Sequence, residues 1–521
     1  MIAPMELSER EKSLLFWGSF LALAAAGVGF GLRVMVLGGW DAEYSISQAE
    51  SGAIFGLSLW PIAVTMILFS LIVDRVGYRP SMFLACALQI ASVVLTVMAK
   101  DVSLLKWACF LGGLGHGIIE ACINPLCAAM YTTTKSKMLN ILHASWPAGI
   151  VFGGTCYILL GDQLGAWNNT FYFMMPPILA YGGIFLAISR FPVDERVQAN
   201  VSGREMLREF GGLGALLAIT FVVYELTNQV CAFRGDTESW VANNLLSFSA
   251  LVGVVGGIGF GAAIGSMGKW LFFILCLIMI PLAATELGTD AWIKDLMTSV
   301  LGADNAGWAI VASAGIMMLL RFYAGIPLRY ISPPALLFVS SIFSMLGLYV
   351  LAGATGGMIF AAFTLYAVGQ TFYWPTVLGF VSERFPKGGA MTLNTVSAMG
   401  LLTIGIFGAP FLGAVKDSYD AKAVREFAAT TPGLEADAYL TASKFFFVQY
   451  ETARSAEVLA NPILGEAQKT RLESDLNQSG RHTLRAAAAM PLSMAIAFLL
   501  ILLWFRTQGG YRAIQLTEGD A

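Results

Sequence analysis

The feature that most constrains this chain is a series of apolar runs, each long enough for one helix and separated by short polar segments. A helix of about 20 apolar residues spans the hydrocarbon core of a bilayer. Fourteen such segments are predicted, at residues 14–38, 50–73, 80–99, 104–131, 139–160, 169–189, 212–233, 244–266, 268–289, 307–331, 333–352, 357–381, 390–414 and 486–506. The chain is therefore predicted to be an all-α polytopic membrane protein.

The composition supports a membrane protein, since 57% of the 521 residues are hydrophobic and only 12% are charged. Soluble domains carry roughly 25% charged residues. The net charge of -3 does not indicate a nucleic acid or another strongly charged partner. Seven scattered cysteines without a CxxC pair indicate helix packing rather than disulfides or a metal site. We expect no cofactor, no metal, and a location in the cell (inner) membrane.

The Lys and Arg residues of the short loops set the predicted orientation. Most of them fall on the side of the N-terminus, while the short loops of the opposite side hold Lys100, Lys106, Arg234 and Lys294. Cytoplasmic loops of membrane proteins are enriched in Lys and Arg. Both termini are therefore predicted to be cytoplasmic.

One polar stretch, residues 415–485, separates the last two apolar segments. Its patterns YETARSAEVL and EAQKTRLESDL are amphipathic at helical spacing. Long loops cross the membrane largely regardless of their charge. We therefore expect an external helical cap here.

The two halves of the chain share a pattern. GHG and MLN bound residues 115–140, and GQT and TLN bound residues 369–394, at the same spacing. A repeat that spans half of a membrane chain is typical of a transporter built from two related bundles. The predicted division is an N-terminal six-helix bundle (13–209), an inserted helix pair (210–266) and a C-terminal six-helix bundle (267–506) that carries the 415–485 loop.

The loop VDRVGYRP, residues 73–80, resembles the G-x-x-x-D-R-x-G-R-R signature of the major facilitator superfamily, from which Ser70 and Tyr78 depart. The matching positions are Asp74, Arg75, Gly77 and Arg79. The resemblance implies the fold of that superfamily, here with two additional helices. In such a gating loop, a carboxylate at a helix end can hold the neighbouring bundle through charge-assisted bonds.

Glu120 and Asn124 interrupt an otherwise apolar helix. Four residues apart, they share one helix face, and a buried carboxylate must face a cavity or a partner. The pattern E-x-x-x-N-P, followed by LN at the start of the next helix, resembles the fucose:proton symporter family within the superfamily. The resemblance implies sugar binding and proton coupling for Glu120 and Asn124. A structural interhelical hydrogen bond is the alternative.

The next segment, LNILHASWPAG, adds polar and aromatic groups at a similar depth. Asn140, His143 and Trp146 are expected to converge with Glu120. Because imidazole titrates near neutral pH, His143 is a candidate proton relay, and a packing role is the alternative.

In the second half, Glu286 lies six residues before Trp292, with Asp290 between them. This resembles the E…G-x-W pattern of glucose-transporting members of the same family, with Asp290 in place of the Gly. The resemblance implies a substrate contact for Glu286.

GQTFYWP places Gln370, Tyr373 and Trp374 midway along a later segment, and Asn394 ends the second copy of the repeat. An amide pairs with sugar hydroxyls, and aromatic rings pack on the C–H face of a sugar. All four are predicted to bind substrate or support coupling, with aromatic packing as the alternative for Tyr373.

Two arginines, Arg33 and Arg321, lie within predicted helices. A buried arginine requires a carboxylate or a polar cavity, and Glu120 and Glu286 are the candidate partners. The fucose symporter pattern places an Asp in the first helix, whereas AGVGFGLRVMVLGG offers no acid. Coupling by Glu120 with Glu286, coupling by Na⁺, and uncoupled transport therefore all stay open.

The resemblance implies secondary active transport of a monosaccharide or related polyhydroxylated solute by alternating access, with H⁺ or Na⁺ as the symported cation. The alternatives are a proton-driven carrier of another solute such as a peptide, and a non-transporting sensor on the same fold. No Walker, HExxH or GxSxG motif occurs, so an enzyme is not expected. We expect a monomer whose partners are the solute, the ion and the lipid bilayer.

Overall fold

The computed structural model describes residues 7–46, 48–289 and 303–516. Apolar side chains from both halves of the chain join in one continuous buried core. Helices account for nearly all of the regular structure in these ranges.

The first part of the chain is a bundle of helices in which the first helix packs tightly along a later one. Its helices are α1 (Glu9–Tyr44), α2 (Gln48–Gly56), α3 (Trp60–Ser70), α4 (Val73–Val76), α5 (Tyr78–Met98), α6 (Val102–Met130), α7 (Lys135–His143), α8 (Ser145–Leu160), α9 (Met175–Ala187) and α10 (Glu195–Gln198), with 3₁₀ turns at Asp162–Leu164 and Trp167–Met174. A Cβ on Gly149 of α8 would lie 2.2 Å from the carbonyl oxygen of Ala24 in α1. Only glycine permits this approach of two helix backbones.

An additional helix pair follows. It consists of α11 (Gly203–Arg234), the short α12 (Trp240–Asn243) and α13 (Leu245–Ile264). Backbone hydrogen bonds tie its two ends together, from Gly212 N to Ser266 O at 3.1 Å and from Lys269 N to Glu209 O at 3.2 Å. The start of α11 and the segment after α13 therefore lie side by side, so the helix pair is attached to the rest of the protein at one place. The division into domains at 210 and 266 stays a prediction.

The remaining elements form the second bundle and an appended unit. They are α14 (Trp270–Ala283) with a π-helical turn (Ala284–Gly288), α15 (Ala303–Phe322), α16 (Pro333–Leu351), α17 (Met358–Gln370), α18 (Tyr373–Arg384), α19 (Gly389–Thr403) with a π-helical turn (Ile404–Gly408), α20 (Ala409–Ala429), β1 (Leu440–Phe445), β2 (Val448–Ala453), α21 (Ser455–Leu459), α22 (Glu466–Ala487) and α23 (Ala489–Thr507), with 3₁₀ turns at Pro327–Arg329, Pro386–Gly388 and Ala436–Ala438.

Twelve helices among the described residues are long and apolar enough to span a membrane, two fewer than the fourteen predicted segments. The two segments that differ are 139–160 and 357–381. Each is divided into a pair of shorter helices, α7 with α8 and α17 with α18. The prediction of a polytopic all-α fold is therefore confirmed. The described residues supply twelve helices of spanning length, together with the two interrupted segments.

Prolines explain where backbone groups become free in these helices. Proline has no N–H, so the carbonyl four residues before it loses its helical partner. Inside a membrane protein such a carbonyl must be satisfied by another group. Three prolines and the carbonyls they free are important here: Pro125 with Ala121, Pro147 with His143, and Pro375 with Thr371.

The predicted helical cap at 415–485 is partly wrong. The amphipathic pattern predicts a helix through Tyr450, but β1 and β2 form an antiparallel hairpin in which Thr441 lies opposite Thr452. Phe445 at the hairpin tip packs on the rings of Phe407 and Phe411. This tertiary contact outweighs the local helical pattern.

The start of α1 and the segment after α23, the first and last described parts of the chain, lie on one face, here called the terminal face. Phe16 of α1 contacts Tyr131 beyond α6, with ring centroids 5.7 Å apart, and Leu516 N donates to Glu195 at 3.0 Å. The assignment of this face to the cytoplasm stays a prediction.

Polar contacts between the two halves close the terminal face. Lys135 Nζ donates to the Ser382 carbonyl at 3.2 Å, and Ser136 donates from its backbone N–H and its hydroxyl to Glu383. Gly379 lies directly against Ser136, because a Cβ there would come within 2.4 Å of the Ser136 hydroxyl. α7 and α18 therefore meet without a gap.

The C-terminal tail, which follows α23, lies across this closure. Tyr511 Oη donates to the Glu383 carboxylate at 2.6 Å, and Ile514 N donates to the Glu383 carbonyl at 2.8 Å. Leu516 N donates to Glu195, in the other half of the chain. The tail thus bonds to both halves at once, which requires the closed arrangement.

Ending the chain at Gly510 removes these tail contacts, so we expect a larger population that is open on the terminal face. Of these bonds, the one from Leu516 to Glu195 joins the two halves. One hydrogen bond is worth about 0.5–1.5 kcal/mol, so the shift should be several-fold. The measurement is the distance between spin labels at the exposed positions 133 and 330, with Cys156 and Cys231 replaced by serine. Arg512→Ala, which keeps the backbone contacts, is the control. An unchanged distance distribution in the shortened chain would contradict the role of the tail.

Asp194 gives the closed terminal face a pH dependence. Its carboxylate lies against Gly389 of the second half. Burial raises the pKa of Asp194 to about 6, and the nearby Asp74 carboxylate adds to the rise, while Arg196 and Lys135 oppose it. A solvated aspartate titrates near about 3.9. The closed form therefore binds the proton more tightly than a form in which Asp194 is solvated.

Acidification through about pH 6 is accordingly expected to favour closure of the terminal face, and this gain disappears as the pH rises above that value. Asp194→Asn imitates the protonated carboxyl and keeps an acceptor for Arg196 N, which now donates to Asp194 at 2.8 Å. The variant should be closed at both about pH 5.5 and about pH 7.5 by the same spin-label distance. A pH response that survives in Asp194→Asn would assign the effect to another group.

Candidate functional site

Among the described residues, the carboxylate of the predicted gating loop pairs within its own half of the chain rather than with the neighbouring bundle. Asp74 forms an ion pair with Arg196, which belongs to the same half of the chain. Arg196 also donates to the Val201 carbonyl at 2.8 Å and lies against Gly389 of the other half. The expected direct bond between Asp74 and the second half is thus replaced by an indirect contact, in which Arg196 binds Asp74 and lies against Gly389.

The other residues of this loop shape and anchor it. Gly77, with φ of 84°, makes the turn between α4 and α5, a conformation that favours glycine. Arg79 donates to the Leu186 carbonyl at 2.7 Å, and Arg75 is exposed.

The asparagines that end the two repeated stretches join the halves of the chain. Asn140 Nδ2 donates to Thr376 Oγ1 at 3.2 Å. Asn394 Nδ2 donates to Ser70 Oγ at 2.9 Å and to the Ala121 carbonyl, one of those freed by proline, at 3.1 Å. Both asparagines are fully buried. The structure places them in the joint between the halves rather than at a cavity.

Glu120, Asn124 and His143 form a buried polar chain. Asn124 Nδ2 donates to Glu120 Oε2 at 2.6 Å, and His143 Nε2 lies 2.9 Å from Asn124 Oδ1. Glu120 and Asn124 project from one face of α6, and His143 ends α7. All three side chains are buried.

The amide of Asn124 sets the direction of these bonds. An ionised carboxylate only accepts, so Asn124 presents its NH₂ to Glu120 and its oxygen to His143, which must then donate from Nε2. A protonated Glu120 keeps one acceptor oxygen but gains an O–H, with which it can donate to the amide oxygen. The amide would then turn over and require His143 Nε2 to accept. Asn124 therefore provides a route by which the protonation of Glu120 can change the tautomer of His143.

No arginine or lysine of the described ranges lies within ion-pair distance of Glu120. Its remaining polar neighbour is His116, whose Nε2 is 3.7 Å from Glu120 Oε1. The His116 ring stacks on Trp146, with centroids 5.1 Å apart. Glu120 is therefore surrounded by an amide and imidazoles.

Arg321, one of the two predicted charge partners, pairs with Glu286, with 2.7 Å between Nη2 and Oε1. Its Nε donates to the Thr371 carbonyl at 2.7 Å and its Nη1 to the His143 carbonyl at 3.0 Å. These are two of the carbonyls freed by proline. The guanidinium therefore finds acceptors that match its fork geometry, although it is almost completely buried.

The other predicted charge partner, Arg33, has no carboxylate within ion-pair distance in the described part of the chain. Its Nη2 donates to Ser92 Oγ at 3.3 Å, and its guanidinium carbon lies 5.5 Å from the ring centroid of Phe171. The expected pairing of Arg33 with Glu120 or Glu286 is absent.

A central cavity of about 340 Å³ lies between the halves, within the range of about 300–1,000 Å³ typical of small-molecule sites. Two of the predicted site residues, Trp146 and Glu286, line it. Its other lining side chains are mostly apolar, with Ser313 as a further polar group; they include Phe30, Val34, Phe55, Ile310, Met317 and Phe363.

Gln370, Tyr373 and Trp374 are buried near the break between α17 and α18 and do not line this cavity. Trp374 Nε1 donates to Ser397 Oγ at 3.0 Å, which is a packing arrangement. Trp292 lies outside the described residues.

Sequence reasoning misses most of the cavity lining. Phe30, Phe55 and Phe363 are ordinary apolar residues of membrane helices, and nothing in their local sequence distinguishes a cavity from lipid or core. Ser313 is one of many small residues in α15. Only the packing of the two halves identifies these side chains.

The family model of the Major Facilitator Superfamily matches residues 18–414 of the sequence. A search of curated proteins gives no match to the chain. The fold is similar to that of the proton:xylose symporter XylE of E. coli bound to 6-bromo-6-deoxy-D-glucose, with a TM-score of 0.56 and 13% identity over 79% of this chain and 90% of that chain. The E. coli fucose:proton symporter FucP gives a TM-score of 0.55 and 13% identity over 78% and 92%. The human organic anion transporter MFSD10 gives 0.55 and 12% over 95% and 100%.

At these identities the solved structures share the fold alone, whereas the family match covers most of the sequence. The two joined halves, the cavity between them and the closed terminal face agree with that match. The chain belongs to the major facilitator superfamily.

Proposed function

We propose that this protein is a secondary active transporter that moves a monosaccharide or related polyhydroxylated solute by alternating access, coupled to proton symport. The observation that carries the proposal is the buried chain from Glu120 through Asn124 to His143, in a protein that has a cavity between two halves and is closed on one face. The sugar symporters XylE and FucP share the fold.

Glu120 is the proposed proton carrier. A buried carboxylate is costly unless it is paired or protonated. Glu286 has Arg321 as a partner, whereas Glu120 has an amide and two histidines. Uptake of a proton by Glu120 therefore removes an unbalanced charge from the interior before the halves rearrange.

Asn124 is the proposed relay between that proton and the joint of the two halves. His143 receives the change through its bond with Asn124, and its backbone carbonyl accepts from Arg321 of the second half. A change of tautomer at His143 therefore occurs in a residue that holds both halves together. Movement of α7 past α15 would break this contact.

The central cavity is the proposed solute site. Its aromatic rings supply flat apolar surfaces for the C–H face of a sugar ring, and Glu286, Ser313 and the Trp146 indole supply polar contacts. The large apolar share of the lining also favours a second candidate, an amphipathic organic solute. The fold of the organic anion transporter MFSD10 is among those shared.

Glu120→Gln tests the coupling, since it keeps an acceptor for Asn124 and removes the titratable group. In proteoliposomes we expect counterflow of labelled solute at a near wild-type rate, and a loss of about tenfold or more in accumulation driven by an imposed pH gradient. Glu225→Gln is the matched control: Glu225 is a buried glutamate of α11 bonded to Gln229. It should retain both activities.

Two outcomes would refute the coupling role. Accumulation that stays driven by the pH gradient in Glu120→Gln would place the proton elsewhere. Accumulation by the wild type under a Na⁺ gradient, with no response to pH, would replace the proton by sodium. A panel of labelled monosaccharides and amphipathic anions, each tested under both gradients, separates the two candidate substrates.

Phe363→Ala tests the cavity. Loss of one aromatic contact should raise the half-saturating solute concentration about twofold to tenfold with little change in maximal rate. Phe360→Ala is the matched control, because Phe360 lies on the same helix with 46% of its surface exposed. Equal effects of the two variants would show that the solute binds outside this cavity.

A further inference from the structure

A second, smaller cavity of about 20 Å³ lies inside the N-terminal half. Phe30 and Trp146 line both cavities, so their rings form the partition between them. The polar side chains around the smaller cavity are Arg33, Ser58, Gln89 and His116. Of the residues around the smaller cavity, only the shared Phe30 and Trp146 enter the proposed transport mechanism as solute contacts.

The polar groups of this cavity are arranged as donors. The side-chain oxygen of Gln89 accepts from Tyr181 Oη at 3.1 Å, which leaves its NH₂ for the cavity. Ser58 is the exception, because it donates its hydroxyl hydrogen to the Phe55 carbonyl at 2.6 Å and therefore presents an acceptor oxygen. The guanidinium of Arg33 has only N–H groups. A small cavity lined mainly by donors is complementary to an anion.

The charge of Arg33 requires such a partner. It is 5% exposed, and among the described residues no carboxylate lies within ion-pair distance. Ser92, which accepts from Arg33, is neutral and donates its own hydrogen to the Ala108 carbonyl at 2.7 Å. The Phe171 ring gives partial compensation at 5.5 Å. A buried cation without a counter-ion is unfavourable in a membrane interior.

His116 is a second, independent indication. It is 7% exposed and its Nε2 makes no hydrogen bond in the described part of the chain. Buried polar atoms of this kind are usually satisfied. Its Nε2 lies 3.7 Å from Glu120 Oε1, which is within ion-pair distance but too long for a hydrogen bond, so the electrostatic contact with Glu120 leaves a hydrogen bond of Nε2 unmade.

We propose that the cavity beside Arg33 is an anion subsite that binds one small monovalent anion, a halide or a carboxylate group. About 10–15 Å³ of such volume holds one water molecule, so the cavity admits a particle of this size and excludes a large organic anion as a whole. Arg33 provides the charge, and Gln89 and His116 provide further donors. The anion comes either from solution as a halide or, if the proposed function holds, as the carboxylate of a solute that extends past Trp146.

The test uses the purified full-length protein in detergent, titrated with sodium chloride while sodium gluconate keeps the ionic strength constant. Because an anion that binds the folded state stabilises it by mass action, we expect a saturable rise in Tm of about 1–3 °C. Sodium acetate should give a similar rise. Arg33→Gln should abolish both, while Arg190→Gln, an exposed arginine, should retain both.

Gln89→Glu keeps the test decisive if Arg33→Gln fails to fold. The new carboxylate would act as a built-in counter-ion for Arg33. This variant should therefore unfold at or above the wild-type Tm in chloride and should no longer respond to chloride. A wild type without a saturable response to chloride or acetate, or an equal response in Gln89→Glu, would overturn the subsite whatever the outcome of the transport assays.

Counterflow separates the two sources of the anion. If a halide occupies the subsite, chloride should increase counterflow of a neutral labelled hexose relative to gluconate. If the carboxylate of the solute occupies it, chloride should compete with a labelled hexuronate and raise its half-saturating concentration several-fold. Either effect should be absent in Arg33→Gln, and persistence of the effect in that variant would contradict the proposal.

Discussion

The joint between the two halves depends on the Arg321 guanidinium. It pairs with Glu286, and its other two contacts go to backbone carbonyls at His143 and Thr371. These carbonyls are free because Pro147 and Pro375 lack the N–H that would complete each helix. In a lipid environment neither the carbonyls nor the arginine could stay unsatisfied. The Arg321 side chain therefore satisfies the two free carbonyls and neutralises Glu286, and it connects α15 to both interrupted segments.

A related solution occurs nearer the terminal face. Pro125 frees the Ala121 carbonyl, and Asn394 from the other half donates to it. Asn140, which has the equivalent place in the first repeat, donates across to Thr376. Each half thus contributes one asparagine to bind the other half, as expected for a joint between two related bundles. These polar contacts accompany the apolar core that both halves share, and they can be exchanged for others in the proposed rearrangement of the halves.

The sequence is informative about the fold because burial in lipid imposes a length and a polarity on each crossing. It does not reveal that 139–160 and 357–381 are interrupted, since a proline can bend a helix or divide it, and the outcome depends on whether a partner such as Arg321 caps the freed carbonyl. The hairpin at Thr441 was missed because amphipathic spacing resembles a helix, whereas its stability comes from contacts with distant aromatic rings. At the site, Glu120 and Asn124 are conspicuous as polar residues in an apolar helix. The cavity-lining phenylalanines are not.

The two glutamates near the centre differ in the group that compensates their charge. Glu286 is bound by a fixed cation, and Glu120 is bound by an amide that can turn over. Glu286 is held by a guanidinium that never loses its proton under physiological conditions, so its ionisation is tied to a fixed partner. Glu120 is held by Asn124, which donates or accepts with equal ease after a half-turn of its amide. The same bond therefore tolerates both protonation states of Glu120, at the cost of a change at His143. An arginine in place of Asn124 would favour only the ionised state of Glu120. This is the physical reason why the proposed coupling is assigned to the glutamate that lacks a cationic partner.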